Sequence, residues 1–187
     1  MSITITEAVS KAQIREFITF PFSIYKDNPN WVPPLIIEEE MSFDKTKNPV
    51  FEHAEAYFYI AYRGNSAVGR VAAIINWTEV RDQGKKQVRF GWFDVIDDIE
   101  VTKALLGKVA ELGKKHGLEK MEGPMGFSNM DKTGALTMGY DQMSTMITWY
   151  NAAYYIDHFR QLGMTQEKEW VESRFLFPNE QQVAPYL

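Results

Sequence analysis

Four acids crowd residues 94 to 100: Asp94, Asp97, Asp98 and Glu100. Carboxylates this close can raise one another's pKa, and a carboxylate so raised can serve as a general base. Three of the four have a plainer use. Asp97, Asp98 and Glu100 open a stretch with helical apolar spacing, where each charge offsets the helix dipole by roughly 0.3 to 1 kcal/mol, and the Asp-to-Glu interval resembles a capping box. Asp94 stands apart because it ends the strand before that helix, and it is the candidate base. Aromatic residues cluster at Phe90, Trp92 and Phe93 and again at Trp149, Tyr150, Tyr154 and Tyr155. With Met121, Met125, Met138, Met143 and Met146 they could line an apolar pocket or simply pack a core. The tyrosines keep the pocket in play, since a buried hydroxyl needs a partner.

Other chemistries find little support. The chain has no cysteine, which excludes disulfides, thiolate metal sites and a cysteine nucleophile. His53, His116 and His158 have no partner at ligand spacing, so no metal is expected. His116 suits the last turn of a helix, where a cation meets the dipole, while His158 lies one turn after Tyr154, a spacing that fits a pair with it or a solvated helix histidine equally. Gly126-Phe127-Ser128-Asn129-Met130 starts like a nucleophile elbow but lacks the second glycine. Walker, GxGxxG and HExxH motifs are missing. A net charge of -5 repels phosphate backbones, so no nucleic-acid partner is expected. The N-terminal MSITITEAVSKAQIREF carries no leader pattern and no window is apolar enough to span a bilayer, so the expected location is cytoplasmic, with no membrane partner.

These residues need a scaffold, and 187 residues with 45% hydrophobic content suffice for one domain, 1–187. ITITE (3 to 7) alternates like a strand, and Ser10 caps a helix with Ile14, Phe17 and Ile18 on one face. Five prolines between residues 20 and 50 then predict an ordered arm without long regular elements. EAYFYIAYR (55 to 63) and AVGRVAAIIN (67 to 76) flank Gly64-Asn65-Ser66 as a hairpin. A polar loop leads to a strand over 87 to 95, and a helix capped by Asp97 or Asp98 ends at Gly117. A short strand at 118 to 122 stops at Gly123-Pro124. Ala152, Tyr155, Ile156, Phe159 and Leu162 mark a final helix, KEWVESRFLF (168 to 177) reads as a last strand, and 178 to 187 is a tail. An antiparallel meander followed by β-α-β-α-β predicts a mixed α/β (α+β) sheet with helices on its faces.

That order, with VGRVAAIIN (68 to 76), FGWFDV (90 to 95) and NAAYYIDHFRQLGM (151 to 164), resembles the GNAT acyltransferase superfamily. FPFSIYKDNPNWVPPL, NPVFEHAEAYF, VGRVAA, FGWF and EGP together look like a bacterial family of GNAT-like proteins, across roughly residues 20 to 164. The resemblance implies an N-acyltransferase in which strands four and five splay apart to admit acetyl-CoA or a longer acyl-CoA as co-substrate. It implies donor contacts at Phe93, Val95 and Asn151, small-molecule substrate contacts at Trp92, Tyr140 and Tyr154, Asp94 as base and Tyr155 as acid. The superfamily often has its thiolate-protonating tyrosine where this chain has Phe159, so Tyr155, one turn earlier, takes that place. Its glycine-rich diphosphate loop corresponds to Asp97-Asp98-Ile99-Glu100-Val101-Thr102, which has no glycine. At about 5 Å and an effective dielectric near 20, each carboxylate there would repel a phosphate charge by roughly 3 kcal/mol. Two other readings follow: a non-catalytic module of the same fold holding a small apolar or amphipathic molecule, or a homodimer joined through an exposed sheet edge.

Overall fold

In the computed structural model, residues 2–173 are described, apart from 129, 146 and 147. The tail over 178 to 187 and residues 174 to 177 of the expected last strand lie outside the described residues, while 168 to 173 form no strand. Among the described residues five strands form one sheet in sequence order: β1 (Ile3–Glu7), β2 (Ala54–Arg63), β3 (Ser66–Asn76), β4 (Gln87–Val95) and β5 (Lys120–Glu122). The first four are antiparallel and β5 runs parallel to β4. The β2–β3 hairpin turns at Gly64, whose φ of 61° suits a residue without a Cβ. Helices α1 (Lys11–Ile24) and α2 (Ile36–Phe43) cover one face through Phe17, Ile18 and Phe43. On the other face lie α4 (Ile99–Lys115), through Val101, Leu105 and Val109, and α5 (Tyr154–Gln161), through Tyr155 and Phe159. No helix among the described residues is long and apolar enough to cross a membrane.

The arm is more regular than its prolines predict. Ser10 and Gln13 close a capping box at the start of α1, and the helix then runs through Pro21 to Ile24. Proline cannot donate to the carbonyl four residues back. Here that carbonyl belongs to Phe17, and the buried Arg70 guanidinium donates to it instead at 2.7 Å. A second helix, α2, and a 3-10 turn (Pro49–Glu52) occupy the rest of the arm. The expected polar loop after β3 begins with a short helix, α3 (Trp77–Asp82), started by the Asn76 side chain on Glu79 N–H.

Two features of β4 position the site. Gly69 pairs with Val95 and Arg70 with Asp94, yet Ala72 pairs with Gly91, so β4 holds one extra residue there. Trp92 absorbs it with a φ of 42°, a conformation costing roughly 1–2 kcal/mol for a residue with a Cβ. The bulge reverses the strand's alternation. Phe90, Phe93 and Val95 face α4, whereas Trp92 joins Phe43 and Phe127 on the α1–α2 side. Second, β5 pairs with β4 only from Gln87↔Lys120 to Arg89↔Glu122 and then turns away. A Cβ on Gly91 would stand 2.1 Å from the Met125 carbonyl oxygen, so only glycine lets the departing chain pass this close.

Candidate functional site

Beyond Gly91 the β4 edge has no strand partner in β5, and side chains from α5 meet it. Val95 N–H donates to the Tyr155 hydroxyl at 2.9 Å, and Tyr154 donates to the Val95 carbonyl at 2.6 Å. Both polar groups of Val95 on this edge are therefore taken by tyrosines one residue apart on α5. The Tyr155 hydroxyl also lies 2.9 Å from that of Tyr25 at the end of α1, which donates to Asp94 Oδ1 at 3.1 Å. With that donor assignment Tyr155 donates to Tyr25, and a continuous hydrogen-bonded path joins Val95 to Asp94.

Asp94 is buried and held by Arg70, whose Nε and Nη2 both reach Oδ2, at 2.8 and 2.7 Å. A buried charge needs such a partner. Arg70 in turn stacks on the Phe17 ring, 4.9 Å to the centroid. Burial, followed by the charge of Asp94, pushes the Tyr155 hydroxyl well above the ordinary tyrosine range. Tyr25 is raised in the same way by burial, with smaller contributions from Tyr155 and Asp94. Tyr154 is pushed up to about 12, mainly by burial and then by Asp97 and Asp94. All three keep their protons near neutral pH, so they can donate but not accept a proton as bases.

At the start of α4, Asp98 caps the helix by accepting from Glu100 N–H at 2.9 Å, and Arg63 pairs with the same carboxylate at 2.5 Å. The Arg63 hydrogen bond is the main reason the Asp98 carboxyl sits below its usual range. Asp97 lies 3.3 Å from His158 Nε2, and the other ring nitrogen is 2.8 Å from the Thr102 hydroxyl. His158 is thus buried against the helix start rather than solvated, and its ring packs on Tyr154 with centroids 5.3 Å apart.

The remaining expected residues disperse around this centre. Phe93 packs in the core against Tyr155 and Phe159. Trp92 donates to Glu39 on α2 at 2.6 Å. Asn151 is buried, accepts from Leu136 N–H at 2.7 Å and so pins the 136–151 loop. Tyr140 lines an open hollow of about 440 Å³ with Lys26, Asp27, Asn28, Asn30 and Tyr150. Of the methionines, Met125 is buried but Met138 and Met143 are exposed, and Met146 lies outside the described residues. A small cavity of about 20 Å³ adjoins Asp94 and Arg70; it is also lined by Trp31, Glu39, Lys132, Trp149 and Tyr150. Burial there depresses the Lys132 pKa, against the opposing pull of Glu39 and Asp94.

Sequence reasoning missed Tyr25, Arg70, Arg63 and Lys132. A signal existed for Arg70, the lone charge in the apolar run AVGRVAAIIN, since an arginine in a buried strand implies a nearby acid. His158 shares a helix face with Tyr155, three residues away, which also hinted at burial.

Comparison with known proteins agrees on the architecture. The described structure superposes on a predicted acetyltransferase from Clostridium acetobutylicum, solved with acetyl-CoA, with a TM-score of 0.54 at 12% identity, covering 92% of this chain and 96% of that one. An aminoglycoside acetyltransferase from an uncultured soil metagenomic sample gives 0.51 at 12% identity, covering 94% and 97%. The chain has the fold of the GNAT acetyltransferases, a mixed sheet parted between its fourth and fifth strands.

In sequence, the chain is 34% identical over 155 residues to Protein YghO of Escherichia coli, covering 83% of this chain. It is 27% identical over 153 residues to the bacterial ceramide synthase of Caulobacter vibrioides, covering 81%. It spans only 40% of the length of each. No family model matches the sequence.

Proposed function

We propose that this chain is the GNAT-fold part of an N-acyltransferase that moves an acyl group from an acyl-CoA thioester to a primary amine of a small molecule. The observation that carries this reading is the parted β4–β5 edge at Val95, with a bulge at Trp92 and a proton path running from that edge to Asp94. The Caulobacter relative is named for making ceramide, a lipid amide, which supports amide formation as the chemistry.

The thioester carbonyl would lie where the Tyr155 hydroxyl now meets Val95 N–H, a donor suited to polarising it. The neutral amine attacks the carbonyl carbon, the C–N bond forms and the C–S bond breaks. One amine proton passes to water, the thiolate takes one from Tyr155, and the tyrosinate left behind regains a proton from water by way of Tyr25, so acyl-CoA and amine give amide and free thiol with no net change in protons. Asp94 works in this scheme as the anion that anchors Tyr25, because Arg70 and Tyr25 already occupy its oxygens. Diphosphate contacts at α4 contribute little in this scheme, since Asp98 holds the Glu100 amide and the exposed Asp97 carboxylate, beside His158, adds negative charge there. To test this, the protein is incubated with labelled acetyl-CoA or palmitoyl-CoA and a panel of primary amines, with product followed by mass spectrometry. N-acylated amine is expected; no amide with any donor, together with no thermal shift at millimolar acyl-CoA, refutes the reading.

One observation favours a second reading. Both edge groups of Val95 and the Glu100 amide at the α4 start are satisfied by the protein's own side chains, as in a non-catalytic module of this fold. Binding of small amphiphiles without turnover would support that alternative.

A further inference from the structure

We propose that the small cavity beside Asp94 is a binding pocket for a primary ammonium carrying an apolar tail, and that Lys132 occupies it as an internal competitor. The reading of the chain as an N-acyltransferase matters here only for the fate of a bound amine.

The walls have the chemistry of an ammonium site. Trp149 offers a ring face, Trp31 and Tyr150 line the cavity beside it, and Glu39 and Asp94 offer carboxylates; aromatic rings with nearby anions are how proteins hold organic cations. The two acids are not equivalent. Asp94 is already neutralised by Arg70. Glu39 accepts only the Trp92 indole N–H and has no ion-pair partner among the described residues, so its charge is left to attract a cation.

A cation is already in place. Lys132 sits over the Trp149 ring with its ammonium 5.1 Å from the centroid, and it forms no ion pair among the described residues. Its side chain leaves only about 20 Å³ of the cavity, room for roughly one water. A tethered lysine competes at the effective concentration its short stem allows, so the pocket is self-blocked rather than lacking affinity.

Apolar residues mark the route for a tail. Pro21, Val32 and Pro34, with Thr148, complete the lining, and the chain continues from Pro34 to Leu35 and Ile37, which are 54% and 68% exposed. Exposed apolar side chains beside a cleft suit an alkyl chain leaving it.

Calorimetric titration of the whole protein, Lys132→Met and Lys132→Gln with hexylamine and hexanol tests the idea. The proposal expects Lys132→Met to bind hexylamine about tenfold tighter than the unmodified protein, with hexanol unchanged and the gain lost on adding Trp149→Leu. Lys132→Gln, which keeps a polar side chain there, should show a smaller gain. Hexylamine binding no tighter in either Lys132 variant, or hexanol binding as well as hexylamine, overturns it. Hexylamine that binds but is never acylated with acetyl-CoA supports the pocket and counts against the N-acyltransferase reading alone.

Discussion

Replacing Tyr155 by phenylalanine removes one oxygen atom and asks what that atom does. The hydroxyl accepts from Val95 N–H and lies against Tyr25, each at 2.9 Å, in a side chain that is 1% exposed. Its loss strands a buried backbone donor, at a cost of roughly 1–3 kcal/mol, and removes one further hydrogen bond worth about 1 kcal/mol. The sum, about 2–4 kcal/mol, lowers the Tm of a chain this size by about 4–16 °C. Ligand affinity should move the other way. A thioester carbonyl can accept the freed Val95 N–H, so acetyl-CoA should bind Tyr155→Phe about 5- to 30-fold tighter, from roughly 1–2 kcal/mol of restored hydrogen bonding. Turnover, where present, should drop by about 10²-fold or more because the proton path to the thiolate is cut. Thermal melts and isothermal titration with acetyl-CoA read all but the last. Unchanged stability together with unchanged affinity would refute the idea that this hydroxyl holds the strand edge.

Other consequences follow from the same contacts. Asp98→Ala removes the cap of α4, so stability should fall by about 1 kcal/mol in chemical denaturation, while acetyl-CoA affinity rises as Arg63 and the Glu100 amide become available to a phosphate. Arg70→Met leaves Asp94 as an unpaired buried charge and should cost about 3–5 kcal/mol in urea unfolding. For pH, the Asp98 carboxyl is depressed in the folded state chiefly by Arg63. That stabilisation is present above the ordinary aspartate pKa and is lost as pH falls through the lower folded value. Arg63→Met should therefore flatten the acid limb of the Tm–pH profile below about pH 4 without altering its shape at pH 6 to 8.

Much of the fold could be read from residues alone. The Gly64 turn, the strand at residues 87 to 95 and a helix cap at Asp97 or Asp98 all depend on local chemistry, and the structure bears them out with Asp98 as the cap. What escaped was set by partners distant in the chain. A proline inside a helix is ordinarily a stop signal, and α1 continues past Pro21 because Arg70, 49 residues later by number, satisfies the Phe17 carbonyl. The bulge at Trp92 shifts the facing of every later residue in β4, and alternation counted along FGWFDV cannot reveal a skipped position. Asp94 and Tyr155 were recognisable as chemistry-bearing residues, but the intermediary Tyr25 lies in the arm, where nothing in the sequence ties it to them.

The start of α4 gives the sharpest measurement, a comparison of acetyl-CoA with S-acetylpantetheine, which carries the same thioester without the diphosphate or nucleotide. If Asp98, Arg63, Asp97 and His158 close that helix end, the two should bind with dissociation constants within about tenfold of each other. Acetyl-CoA binding more than about a hundredfold tighter, with the advantage erased by high salt, would mean that the diphosphate does reach the α4 amides.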